Sequence, residues 1–167
     1  MAPIVHPCAR QVPFPHGVTS LLRARLGGAT LGLPAQAVRE IVRAVAITPL
    51  PGAPAIIEGV IDLRGVLVPI VDARARLALT PRTLDPSEFM VVLEAGERLV
   101  AVRVDEVEEL LEISPDAVHP PAELSPTLRH LAGLVAGAEG IVMICDVAAF
   151  VSQAEGDALD AALASRA

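Results

Sequence analysis

The chain has 167 residues, of which 53% are hydrophobic and only 2% aromatic, and its formal net charge is −7. An acidic chain almost without aromatic rings lacks both the positive field and the stacking platforms of a nonspecific nucleic-acid binder. The apolar content excludes disorder throughout, and the best apolar stretch, from Ala44 to Ile57, carries Pro49, Pro51 and Pro54 and is too short for a transmembrane helix.

Residues 1–18 contain Pro3, Pro7, Pro13 and Pro15 and read as a Pro-rich flexible arm without the apolar core of a signal peptide. From Ser20 the pattern changes. Leu22, Ala24 and Leu26 alternate with Arg23 and Arg25, the period of a half-buried strand. Gly27-Gly28 is a hairpin signal, and Leu31 and Leu33 resume the alternation. Pro34 opens a short helical turn, and residues 48–52 form a turn. Residues 59–72 read as two β-rich pieces joined at Arg64-Gly65. A second series begins after Pro86: strands over 89–93 and 99–104, an acidic segment over 105–113, a Pro-broken stretch over 114–126 and a strand-rich stretch over 131–146. Residues 150–163 form a terminal amphipathic helix, with Phe150, Val151, Ala154, Ala158 and Ala161 near one face.

The two series resemble each other. A shift of 69 residues pairs Leu22 with Val91, Gly27 with Gly96, Val38 with Val107 and Glu40 with Glu109. After an insertion the shift becomes 74, pairing Gly59 with Gly133, Val68 with Val142 and Asp72 with Asp146. The chain therefore reads as two similar small β units. A unit of this size rarely buries enough surface to stand alone, so the two share a hydrophobic interface.

No catalytic constellation, phosphate loop or metal set stands out, so neither an enzyme nor a cofactor is expected. His6-Pro7-Cys8 is too small a ligand set for a metal, Cys145 sits in an apolar run as an inert thiol, and two cysteines make no disulfide framework. Asp72 and Asp146 end strands and read as caps. Arg64 is unusual: it interrupts the most apolar stretch of the chain, and an arginine there needs solvent or a carboxylate, such as Glu40.

The run from Glu58 to Arg74, with Leu63-Arg64-Gly65, Val68-Pro69-Ile70-Val71 and Asp72, resembles the signature of the CheW-like chemotaxis coupling proteins. Residues 38–42 and 47–51 upstream, and Gly96 to Leu111 downstream, resemble the family's flanking segments, so the resemblance spans about residues 20–152. It implies an all-β fold of two intertwined five-stranded SH3-like barrels sharing a hydrophobic interface, with a short C-terminal helix. The first barrel covers about 19–82, the second about 87–152, with strand exchange between them, and residues 153–167 are a helix or tail. It further implies a cytoplasmic, non-enzymatic adaptor bridging the tips of methyl-accepting chemoreceptors and the regulatory domain of a histidine kinase. It has no nucleic-acid partner and no membrane insertion, and joins membrane receptor clusters only through its partners. By residue match, Val38, Gly59, Val60 and Arg64 fall where the family contacts receptor, with Glu40 as a salt-bridge partner. Three departures stand out: Asp62 for the usual Asn, Ala73 for Leu, and Ala24 on a first strand that usually carries aromatics. The last implies a looser first barrel and a second reading, a divergent member that binds receptors but not the kinase.

Overall fold

The computed structural model describes residues 19–119, 130–137 and 139–165. The Pro-rich arm over 1–18 and part of the 114–126 stretch lie outside them. The first series forms β1 (Thr19–Leu26), β2 (Ala29–Pro34), β3 (Val38–Arg43), β4 (Ile57–Leu63), β5 (Val66–Val71) and the one-turn helix α1 (Ala73–Arg76). The second forms β6 (Phe89–Ala95), β7 (Arg98–Val104), β8 (Glu106–Ile113), β9 (Leu131–Gly137) and β10 (Gly140–Cys145), and then helix α2 (Gln153–Ala164). Adding 69 to the first residue of β2 gives that of β7, and adding 74 to the limits of β4 and β5 gives those of β9 and β10. The tight turns repeat as well, since Gly27 and Gly96 both have positive φ, 60° and 67°.

The strands form two five-stranded sheets, ordered β8-β1-β2-β10-β9 and β3-β6-β7-β5-β4. Replacing each strand by its repeat partner turns the first order into the second. Pairing keeps the same equivalence: Val38 lies opposite Leu93 across β3–β6, and Val107 lies opposite Ala24 across β8–β1. The sheets therefore do not divide the chain at residues 82–87. Each takes a two-strand hairpin from one repeat and three strands from the other. The far flank of β2 is filled by β10 in parallel pairing, so the chain leaves through the 3-10 turn Ala35–Ala37 and enters the other sheet as β3. Asp105 makes the matching crossing between β7 and β8.

Three apolar clusters result. The largest lies between the sheets and contains Leu22, Ala24, Leu31 and Leu33 from one and Val91, Leu93, Val100 and Val102 from the other. Ile61, Val68, Ile70, Met90, Val92 and Ala101 fill the second sheet's own interior, and Leu21, Val135, Val142 and Ile144 the first sheet's. The pleat of β1 explains this division: Leu22, Ala24 and Leu26 face the shared core, while Leu21 turns the other way. Ala24 thus belongs to the interface and not to a barrel interior. It is fully buried there, so the shared core has closed around the small side chain.

Ser152 caps α2, accepting from Glu155 N while Glu155 reaches back to Ser152 N. The buried face of α2 is Gly156, Leu159 and Ala162; Ala154, Ala158 and Ala161 are exposed. The expected apolar face is thus rotated. Leu159 is buried in the shared core, Leu163 packs at its margin, and Arg98 holds Asp160 from the flank, which fixes the helix about its axis. Among the described residues, no helix is long and apolar enough to cross a membrane.

Candidate functional site

The β4–β5 hairpin pairs Leu63 with Val66, leaving Arg64 and Gly65 as a two-residue loop. Their φ angles are 52° and 86°, so both occupy the left-handed region of a type I′ turn. Asp62 makes this conformation workable by accepting from Gly65 N at 2.7 Å. The Asp that stands in the place of the family's Asn therefore serves as the turn's acceptor. An arginine at the first turn position projects from the tip, and its side chain is 73% exposed.

Arg64 is nonetheless fixed. Its two terminal nitrogens donate to the two carboxylate oxygens of Glu40 at 2.9 and 2.5 Å, a bidentate fork. Glu40 lies on β3, at one end of the sheet, and the tip belongs to the β4–β5 end, so the fork ties the two ends together. The hydrogen bond from Arg64 holds the Glu40 carboxyl below its ordinary range, and Glu40 raises the Arg64 guanidinium in turn. Val66 and Leu67, beside the tip, are exposed aliphatics.

The other matched residues lie beneath this surface. Val60 is only 2% exposed and belongs to the shared core. Gly59 is buried with φ 155°, and a Cβ there would come within 2.3 Å of the Thr48 carbonyl oxygen. That closeness comes from the Thr48–Val60 bridge, in which each backbone N–H donates to the other residue's carbonyl. Val38 is half-buried against the shared core. The structure thus gathers Arg64 and Glu40 at the surface and uses Gly59, Val60 and Val38 to hold the strands that carry them.

Two charge networks escaped the sequence reading. Arg103 on β7 donates to both oxygens of Glu58 at 3.0 and 2.8 Å, to Glu88 at 3.0 Å and to the Arg82 carbonyl at 2.9 Å. Burial pushes Glu58 upward while Arg103 opposes that shift. This network grips the bulge next to Gly59. The second centres on Arg23, which lies on the polar side of the alternation and is only 8% exposed. It pairs with Glu108 at 3.0 Å, with Glu109 at 3.2 Å and with Glu139. Hydrogen bonding to Glu139 raises the Arg23 guanidinium further. Alternation cannot distinguish a solvated arginine from one covered by acids on the neighbouring strand. The clue available was the acid density of 106–112. Cys145 is fully buried, and desolvation pushes its thiol up to about 12, the environment of an inert cysteine.

Residues 20–155 match the CheW-like domain family. The chain is 33% identical over 132 residues to Chemotaxis protein CheW of Klebsiella aerogenes, covering 78% of this chain and 80% of that protein. It is 34% identical over 131 residues to Chemotaxis protein CheW of Rhizobium meliloti, covering 78% and 84%. Protein FrzA of Myxococcus xanthus is 33% identical over 112 residues, covering 66% and 70%. The crystal structure of the scaffolding protein TtCheW from Thermoanaerobacter tengcongensis superposes with a TM-score of 0.71 at 24% identity, covering 78% of this chain and 90% of that one, and has the same fold. With the signature hairpin, the duplicated strand order and these matches in agreement, the chain belongs to the CheW-like family.

Proposed function

We propose that this chain is a non-enzymatic scaffold that couples methyl-accepting chemoreceptors to a chemotaxis-type histidine kinase in signalling arrays. Membership of the CheW-like family over residues 20–155 carries this reading, and the named relatives are chemotaxis proteins. It works in the cytoplasm and joins membrane receptor clusters through its partners.

The receptor-docking ground centres on the Arg64–Glu40 fork, with Val66 and Leu67 as apolar contacts. A fork already paired offers a fixed donor edge at little ordering cost, and exposed aliphatics beside it supply area. Gly59, Val60 and Val38 act as positioning residues, since a helical hairpin can reach the fork but not Val60. The regulatory domain of the kinase is the second partner.

The test is a pair of titrations of the full chain, one with the cytoplasmic tip of a chemoreceptor and one with the kinase regulatory domain. Binding of both is expected. Binding of receptor without kinase would reduce the protein to a receptor-array organiser, and binding of neither would overturn the reading.

A further inference from the structure

Asp62 stands beside the Arg64–Glu40 fork without a cation of its own. Its Oδ1 accepts from Gly65 N at 2.7 Å. Arg64, two residues on, commits both terminal nitrogens to Glu40. The fork is therefore neutral, and Asp62 is left as an exposed acid that forms no ion pair with any described residue. The turn does not require that charge. Holding Gly65 N takes one oxygen, and the amide oxygen of asparagine, the family's usual residue here, serves equally well.

The pleat fixes where the charge lies. Ile61, Val68 and Ile70 fill the second sheet's own interior and Leu63 packs against them, whereas Val60 and Val71 belong to the shared core. Asp62 alternates with Ile61 and Leu63, so it shares the face of Val60. Directly across the hairpin from it is Leu67, 46% exposed. Asp62 and Leu67 thus end in solvent the face that, deeper in the protein, forms the shared core. They stand at the rim of the space between the two sheets. The second hairpin differs at this position. Adding 74 leads to Ala136 and Ile141, which face each other across β9–β10 and are both exposed, so a methyl group replaces the carboxylate there.

On the receptor-docking reading given above, we propose that Asp62 is a specificity-determining residue. It selects receptor tips that carry an arginine or lysine three or four positions from the apolar side chain covering Leu67. That spacing sets two groups on one helix face about 5–6 Å apart, close to the ~4.5–5.5 Å between paired residues of a hairpin. Leu67 supplies apolar area, and the carboxylate supplies charge complementarity, which sorts partners more than it adds affinity. A tip with an acid at that place meets Asp62 as a like charge and is rejected.

The experiment is a double-mutant cycle by isothermal titration. The titrants are a chemoreceptor's helical-hairpin tip bearing exposed arginines or lysines, and variants of it in which each of these is changed singly to Gln. The full chain is used as wild type, Asp62→Asn and Arg64→Glu, with Tm measured for each. At low ionic strength Asp62→Asn is expected to bind the native tip about threefold to fivefold more weakly at unchanged Tm. One Gln variant of the tip reproduces that loss against wild type and costs nothing further against Asp62→Asn. High ionic strength closes the gap between wild type and Asp62→Asn. Unchanged affinity of Asp62→Asn, with binding lost in Arg64→Glu, would overturn the role of Asp62 and leave the docking reading standing. A loss that no Gln variant shares, or one accompanied by a fall in Tm, would overturn it as well, since Asp62 would then act only through the turn. Failure of the wild type to bind the tip would overturn the docking reading and the role of Asp62 with it.

Discussion

In the first repeat the edge-strand acid, Glu40, meets an arginine at the hairpin tip, and the pair stays in solvent. In the second, the equivalent acid is Glu109 and the tip carries Glu139, so two acids face each other. The arginine that reconciles them comes from a third strand: Arg23 on β1, at the position that Val92 occupies in the other sheet, where Val92 is core. At this position one sheet thus has a core valine and places the arginine that joins its two ends at the surface, where a partner can reach it. The other keeps its arginine inside, where it holds the protein's own acids. The duplication preserved the need to join the two ends of each sheet but not the residue that does it, and only the first solution leaves a fork free for recognition.

Five substitutions test this contrast, in decreasing order of expected effect on stability. Gly59→Ala drives a Cβ into the Thr48 carbonyl from a positive-φ position and is expected to cost on the order of 3 kcal/mol or more in denaturant melts. Gly133→Ala, its equivalent, meets the Val118 side chain first, which can move, and costs less. Equal losses would mean that the His119–Leu134 bridge beside Gly133 is as rigid as the Thr48–Val60 bridge beside Gly59. Arg23→Met strands Glu109 and Glu139 against each other and lowers Tm clearly further than any change at Arg64. Cys145→Val restores the residue found at the equivalent Val71 and shifts stability by less than about 1.5 kcal/mol. A larger loss would show that the two strand ends pack differently. Arg64→Asn keeps a residue suited to the left-handed turn, removes the fork and leaves Tm nearly unchanged.

The fork also fixes a sign for pH dependence. Glu40 is lowered in the folded protein from 4.5, so its contribution is fully present above that value and is lost as pH falls through the lowered one. Receptor affinity that depends on the paired fork takes the same course, holding at neutral pH and falling in acid. In the Arg64→Asn variant that acid-dependent component is absent.

Much of the architecture was legible in the sequence because the duplication is written in residues with backbone consequences. Gly27 and Gly96 mark turns, and Gly59 and Gly133 mark close approaches. Asp72 and Asp146 cap the helical turn after each repeat's last strand by accepting from Ala75 N and Ala149 N. Strand exchange was less legible. Periodicity reports which face of a strand is covered, and β3 would look the same beside β2 as beside β6. At the site, Arg64 and Glu40 could be paired from the sequence because an arginine within an apolar run demands a partner. Motif position could not reveal that Val60 is core while Arg64 is surface, since both lie in one signature and differ only by pleat and turn. Arg23 and Arg103 were missed for a related reason, because their partners come from strands distant in sequence.

The most direct measurement is isothermal titration of the receptor tip into wild-type protein and into Arg64→Glu, with the thermal midpoint of each. Removing the fork at an exposed tip is predicted to weaken receptor binding about tenfold or more while leaving Tm within about 2 °C of wild type, since exposed ion pairs contribute little to folding. Unchanged affinity would contradict the account, and so would a loss of affinity matched by a large fall in Tm, which would make Arg64 a structural clamp like Arg23.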